Sequence, residues 1–137
     1  MRYKEVDMDI SFVLARIIGI TMTILYAGAI INFKFLQRSV QTIEEQPILL
    51  YLAGFIALTL GVLVIEFHNL WVWDWRVIIT VLGWLLLIDG SMGLLMPGAA
   101  QRVGRALLVR NANLAFLECI LMLFVGLYLS VMGFWGL

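Results

Sequence analysis

The sequence predicts an all-α integral membrane protein, a four-helix bundle, on three observations. Of its 137 residues 64% are hydrophobic and 13% charged, and the mean hydropathy is +1.04; water-soluble domains hold about 45–50% apolar and about 25% charged residues. The apolar residues gather into four runs, each near the roughly 20 residues a helix needs to cross about 30 Å of hydrocarbon. The breaks between runs are short, and in lipid every backbone polar group must find its partner within the segment, which selects helices with brief connections. A globule this small could not hide the apolar excess from water. The lipid bilayer is the first partner that the composition demands.

Residues 1–9 form a short polar leader. The first span covers about residues 10–33, longer than the about 7–15 residues of a signal-peptide core and followed by no Ala-x-Ala-like site, so it is expected to stay as a membrane helix. Residues 34–46 mix Lys34, Arg38, Glu44 and Glu45 with Phe35, Leu36, Val40 and Ile43, the pattern of a helical connector lying in the interface. Pro47 suits the first turn of a second span over 47–65, where its missing N–H costs nothing. A third span over 75–96 ends at Pro97-Gly98. A second connector, 99–112, carries Arg102, Arg105 and Arg110, and a fourth span runs over 113–135. The expectation is one transmembrane domain made of two helical hairpins.

An internal repeat supports that plan. Gly19 aligns with Gly83, Phe33 with Pro97 and Gln37-Arg38 with Gln101-Arg102, all at one offset; near the end the register drifts by one and matches Gly61 with Gly126. Units with two crossings each share orientation and relate by an axis along the membrane normal. Small residues also recur at helical spacing: Ala15, Gly19, Thr23 and Ala27 in the first span, and Ala53, Ala57 and Gly61 in the second. Close backbone contact at small residues drives helix packing in lipid, so these stripes are expected to be contact faces, within the bundle or between subunits.

The polar break from Glu66 to Arg76 holds the sole histidine and three of the five tryptophans. Glu66 and Arg76 stand at the two ends of the turn and are expected to form a salt bridge, with Arg16 a second partner for Glu66. His68 and Asn69 are expected to cap carbonyls at the end of the second span, and Asp74 the start of the third, where the helix dipole favours an anion. Trp71, Trp73 and Trp75 read as interface anchors. The connectors carry five basic residues (Lys34, Arg38, Arg102, Arg105, Arg110) against four on the other side (Arg2, Lys4, Arg16, Arg76), which places the connectors in the cytoplasm.

Asp89 and Glu118 are the sharpest chemical signal. Asp89 lies about 12 Å from Pro97, and Glu118 about 9 Å from Ala112, at a rise of about 1.5 Å per residue. Both thus sit inside the apolar layer at similar depth from one face. An ionised carboxyl near the bilayer centre costs about 2.5–3.5 kcal/mol. Two in proximity disfavour carrying two charges at once, and a shared proton is what a relay needs; a carboxyl pair also suits a cation. The structural alternative pairs them with Arg102, Arg105 or Arg110.

Other chemistries find little footing. Nine basic and nine acidic residues cancel, leaving no field to hold nucleic acid. The lone Cys119 excludes an internal disulfide and a Cys-x-x-Cys site. With a single histidine, no metal or haem site of His and Cys alone is expected, and no cofactor. Residues 90–93 (Gly-Ser-Met-Gly) lack the context of a phosphate loop, and Ser91 has no histidine on its side of the membrane to serve as base.

The run Glu66-x-His68-Asn69-x-Trp71-x-x-Asp74-Trp75-Arg76, followed by Gly83-Trp84, resembles a group of small uncharacterised bacterial inner-membrane proteins with four spans. The resemblance covers the first three spans and is most specific in the turn; it implies a bacterial inner membrane and supplies no activity. By span count alone the plan is also similar to that of DoxX-like proteins. The first functional expectation is a non-enzymatic accessory or structural subunit of a larger membrane complex, contacting other subunits or a second copy through its small-residue faces. The alternatives are a small proton- or cation-coupled transporter using Asp89 and Glu118, and a pigment, quinone or other cofactor-binding protein using His68.

Overall fold

A computed structural model of the chain describes residues 2–106 and 110–135, with side chains from Asp9 onward except Ile43 and Glu44. Three groups named in the sequence therefore lie outside the described residues: the side chains of Arg2 and Lys4, that of Glu44, and residues 107–109 of the second connector. Six helices follow one another among the described residues: α1 (Arg2–Ile31), α2 (Phe33–Glu45), α3 (Pro47–Phe67), α4 (Val77–Leu95), α5 (Pro97–Gly104) and α6 (Ala112–Trp135). The leader is no separate polar arm, because α1 is helical from Arg2 onward. The connectors are helical as expected, α2 following α1 after a break at Asn32 whose N–H still reaches Gly28 O at 2.9 Å. Pro47 and Pro97 open α3 and α5 at their first turns.

Asp9–Ile31 of α1 and the whole of α3, α4 and α6 are long and apolar enough to cross a membrane. Between 17% and 28% of each helix's apolar window is buried inside the protein. The remaining Ile, Leu, Val and Phe surface has only lipid in which it is neutral. The chain is a multi-pass membrane protein.

The tightly packed pairs are α1 with α6 and α3 with α4. Glycines set both contacts. A Cβ on Gly61 would stand 2.5 Å from the backbone nitrogen of Leu87, and one on Gly90 would overlap the backbone of Leu58. In the other pair a Cβ on Gly19 would stand 2.5 Å from the Ser130 nitrogen, and one on Gly133 2.7 Å from that of Arg16. Contacts advance along one helix as they retreat along the other, so both pairs are antiparallel. Pairing corrects the picture of hairpins made across the connectors: of the consecutive spans, α3 and α4 alone form a close pair, and the partner of α6 is α1.

This pairing follows the internal repeat. Exchanging the two units sends α1 onto α4 and α6 onto α3, so one pair becomes the other. The matched glycines behave alike: Gly19 faces Gly126 O at 2.9 Å from its would-be Cβ, and Gly61 faces Gly83 O at 3.0 Å. Each unit's first span packs against the other unit's last. The buried core of Ala15, Ile79 and Leu129, flanked by Leu14, Ile18, Val64, Ile78 and Leu82, sits at the end of the bundle near the turn. Most of it follows the repeat, Ala15 matching Ile79, Leu14 Ile78, Ile18 Leu82 and Leu129 Val64, while Trp75 and Val125 have no counterpart in it.

The first-span stripe is correct from Ala15 through Gly19 to Thr23, which lies against Gly126, while Ala27 is only half-buried. In the second-span stripe Gly61 is correct, and Ala53 and Ala57 miss the contact. Ala53 is exposed and Ala57 half-buried, whereas Gly54 and Gly61 are buried against α4. The smaller side chain permits the closer approach. Gly90→Ala is expected to destabilise by about 1–3 kcal/mol, since backbone must move to admit the methyl. Gly93→Ala, whose new methyl meets Gly54 Cα at an ordinary 3.4 Å, should be near neutral. Gly28→Ala, with open space around it, should gain about 0.5–1 kcal/mol of helix stability. Thermal unfolding in detergent, followed by tryptophan fluorescence, checks the order.

Candidate functional site

At the turn end the chain leaves α3 at His68, whose N–H still bonds Val64 O at 2.7 Å. The side chain does not cap carbonyls at the membrane surface. It is 2% exposed and joins three elements, with Nε2 2.9 Å from Ser11 Oγ on α1 and Nδ1 3.3 Å from Thr80 Oγ1 on α4. Thr80 Oγ1 also accepts from Leu70 N–H at 3.2 Å and lies 3.0 Å from Leu70 O. Both ring nitrogens of His68 thus face a hydroxyl, one on α1 and one on α4. A hydroxyl, an imidazole and a second hydroxyl in line have the outline of a nucleophile with its base. Yet Ser11 and Thr80 are fully buried. The cluster satisfies polar groups where the two helix pairs meet.

The neighbouring residues depart from expectation. Arg76 Nε pairs with Asp74 at 3.1 Å, a partner two residues away that it reaches without crossing the turn to Glu66. Among the described residues that is the ion pair formed. Arg16 bonds Phe12 O of its own helix at 3.2 Å. Asn69 Oδ1 accepts from Trp71 Nε1 at 2.9 Å instead of capping α3. Asp74 does not cap α4, whose N-cap is Arg76 with no side-chain hydrogen bond; its Oδ1 accepts from the N–H of Trp75 at 2.7 Å. Trp71 and Trp73 are exposed, as anchors must be, but Trp75 turns inward onto Phe12, ring centres 5.5 Å apart.

At the opposite end the pairs part, and a cavity of about 680 Å³ opens between them. Leu25 to Asn32 of α1 form one wall, Asp89 and Met92 of α4 a second, and Ala115 to Cys119 of α6 a third; α2 and α5 close it with Phe35, Leu36, Ser39, Ala100 and Val103. The walls are mainly apolar. Asp89 and Glu118 both line this space, so the carboxyls predicted to share a depth do share a cavity, although on helices from different close pairs. Arg102 and Arg110 form no ion pair with either among the described residues. A second cavity, about 290 Å³, lies on the other side of Asp89, between it, α2, α3 and α5.

Comparisons with known protein families, curated proteins and solved structures gave no match. The chemistry must be read from the geometry itself.

Sequence reasoning missed Ser11 and Thr80, and also Tyr26, Asn32 and Ser39 of the cavity wall. Their signal was weak but present: each is a polar residue in or beside an apolar run, and buried polar groups in lipid seek one another. Among the described residues no group of three or more His, Cys, Asp or Glu side chains gathers to hold a metal ion.

Thr80→Val keeps the shape of the side chain and strips Leu70 N–H and His68 of a partner. It is expected to cost about 1–3 kcal/mol for each buried group left unpaired. Thr80→Ser, which keeps the hydroxyl, should unfold near the wild-type temperature in the same detergent.

Proposed function

We propose that this chain is a non-enzymatic carrier of the bacterial inner membrane, binding a proton or cation at Asp89 and Glu118 and passing it across. The observation that carries this reading is the sharing of one cavity by both intramembrane carboxyls, with no ion pair engaging either among the described residues. Charged groups at membrane depth are expensive and mark ion and proton paths by default. The expectation of an accessory subunit draws less support, because the glycine faces that would have met a partner are filled by the chain's own helices. The cofactor reading draws less still, since both ring nitrogens of His68 are engaged by Ser11 and Thr80. The bacterial inner membrane rests on the resemblance of the turn, and the cytoplasmic placing of the connectors on their basic residues.

Two measurements test the proposal. Purified protein in vesicles, under imposed gradients of protons, sodium or potassium, is expected to show flux above empty vesicles. Asp89→Asn and Glu118→Gln should each bring it down to the empty-vesicle level while the proteins stay monodisperse. Full flux from both variants would refute the assignment; absence of wild-type flux, with a stoichiometric partner in mild-detergent purification, would replace it by the subunit reading. For orientation, single cysteines at Asp74 and Gln101 in a Cys119→Ser background should be labelled by an impermeant reagent from outside at 74 and not at 101.

A further inference from the structure

We infer that the occupant of the larger cavity is a small amphipathic organic cation, its charged centre between Asp89 and Glu118 and its apolar body against the walls. This deepens the carrier reading and rests on it for the identity of the site. Three features converge.

The first is size. A hard metal cation takes six to eight oxygen ligands at about 2.3–2.6 Å in a close cage. Here two carboxyls open onto about 680 Å³, within the range of about 300–1,000 Å³ that holds organic ligands in mostly apolar pockets with a few placed polar groups. The second is charge. Asp89 and Glu118 are the charged residues of the described lining, and no Lys, Arg or His stands among the others. A cation fills that space favourably, whereas an anion or a neutral lipid chain leaves the carboxyls uncompensated in an apolar surrounding.

The third is a comparison within the molecule. The smaller cavity is the larger one's counterpart under the internal repeat: each of its described lining residues occupies the repeat position of a residue lining the larger. Leu50 stands for Ala115, Ala53 for Glu118 and Gly54 for Cys119. Apart from Asp89, which serves as a wall of both, the described lining of the smaller cavity is apolar. Polar groups have thus been placed in one copy and not in its twin. The packing differs with it: Gly54, Gly90 and Gly93 bring α3 and α4 together where the other copy has Cys119, Tyr26 and Ala29, so the wider space and the polar groups fall in the same copy.

Gly28 supplies a decisive variant. It lines the larger cavity, and a Cβ added there meets nothing within 4 Å, so Gly28→Leu starts from open space and adds bulk to the cavity wall. Equilibrium dialysis of the purified full chain against tetraphenylphosphonium, and against the smaller benzyltrimethylammonium, is expected to show saturable binding of at least one. Asp89→Asn and Glu118→Gln should each weaken it by about tenfold or more, and Gly28→Leu likewise. Ala53→Leu, in the twin cavity, should leave it unchanged. No saturable binding of either cation, or binding that survives the double carboxyl variant, overturns the inference. Carboxyl-dependent proton or sodium flux without organic-cation binding would sink this inference and leave the carrier reading standing. Carboxyl-dependent binding without flux would do the reverse.

Discussion

Close approach of helix backbones at glycine is the constraint from which the rest of the architecture descends. In lipid a leucine gains almost nothing by turning from an acyl chain to another helix, so association depends on dispersion contact and on how near two backbones can come. Gly19, Gly126 and Gly133 let α1 and α6 touch, and Gly54, Gly61, Gly83 and Gly90 do so for α3 and α4. Once those pairs are chosen, the connectors have no freedom. Each must carry the chain from one pair to the other, α2 from α1 to α3 and α5 from α4 to α6. Both crossings occur at the same end of the bundle. There they span the gap between the pairs, and the gap beneath them is the cavity that Asp89 and Glu118 line.

The other end is closed by different means. The link from α3 to α4 stays within one pair, so no crossing helix binds the pairs together. The core around Ala15, Ile79 and Leu129 supplies apolar contact. Ser11, His68 and Thr80 add hydrogen bonds between α1 and the α3–α4 turn, fully withdrawn from solvent. Such a network is worth more inside an apolar medium than at a surface, and more costly when one member is lost. One end of the bundle is therefore held by core and hydrogen bonds, while the opposite end is spaced apart by its own connectors.

Much of this was legible in the residues, and the failures have a common cause. Span number and approximate limits follow from apolar run length, and the helical connectors from their mixed composition, because bilayer thickness and backbone satisfaction leave few other solutions. Which spans pair is a different matter, since a stripe of small residues names a face and not its partner. The stripe at Ala53 and Ala57 failed because small residues lie on neighbouring faces of α3, and the face that meets α4 is the one carrying Gly54 and Gly61. The Glu66–Arg76 bridge failed because Arg76 had Asp74 at two residues' distance, a local partner that costs less side-chain ordering. His68 was read from its sequence neighbours as a surface cap, yet its partners Ser11 and Thr80 lie 57 and 12 residues away along the chain. Asp89 and Glu118 were found because charge at membrane depth is conspicuous wherever the helices happen to pack.

The repeat sharpens what these residues mean. Positions shared by the two units, Gly19 with Gly83 and Gly61 with Gly126, are among those that hold helices together, while Gly54, Gly90 and Gly133 do so in one unit alone. The polar features lie where the units differ: Asp89 stands opposite Leu25 in the repeat, Glu118 opposite Ala53, His68 opposite Gly133, and Thr80 opposite Arg16. The last two exchanges are coupled. In one copy the ring of His68 sits against Thr80, and in the other Gly133 makes room for the stem of Arg16, whose Cγ would stand 2.7 Å from an added Cβ. One contact site has been filled as a hydrogen-bonded cluster and its twin as a close helix crossing around an arginine. A symmetric scaffold needs neither difference to pack. The departures from symmetry close one end with His68 and set carboxyls in the open end.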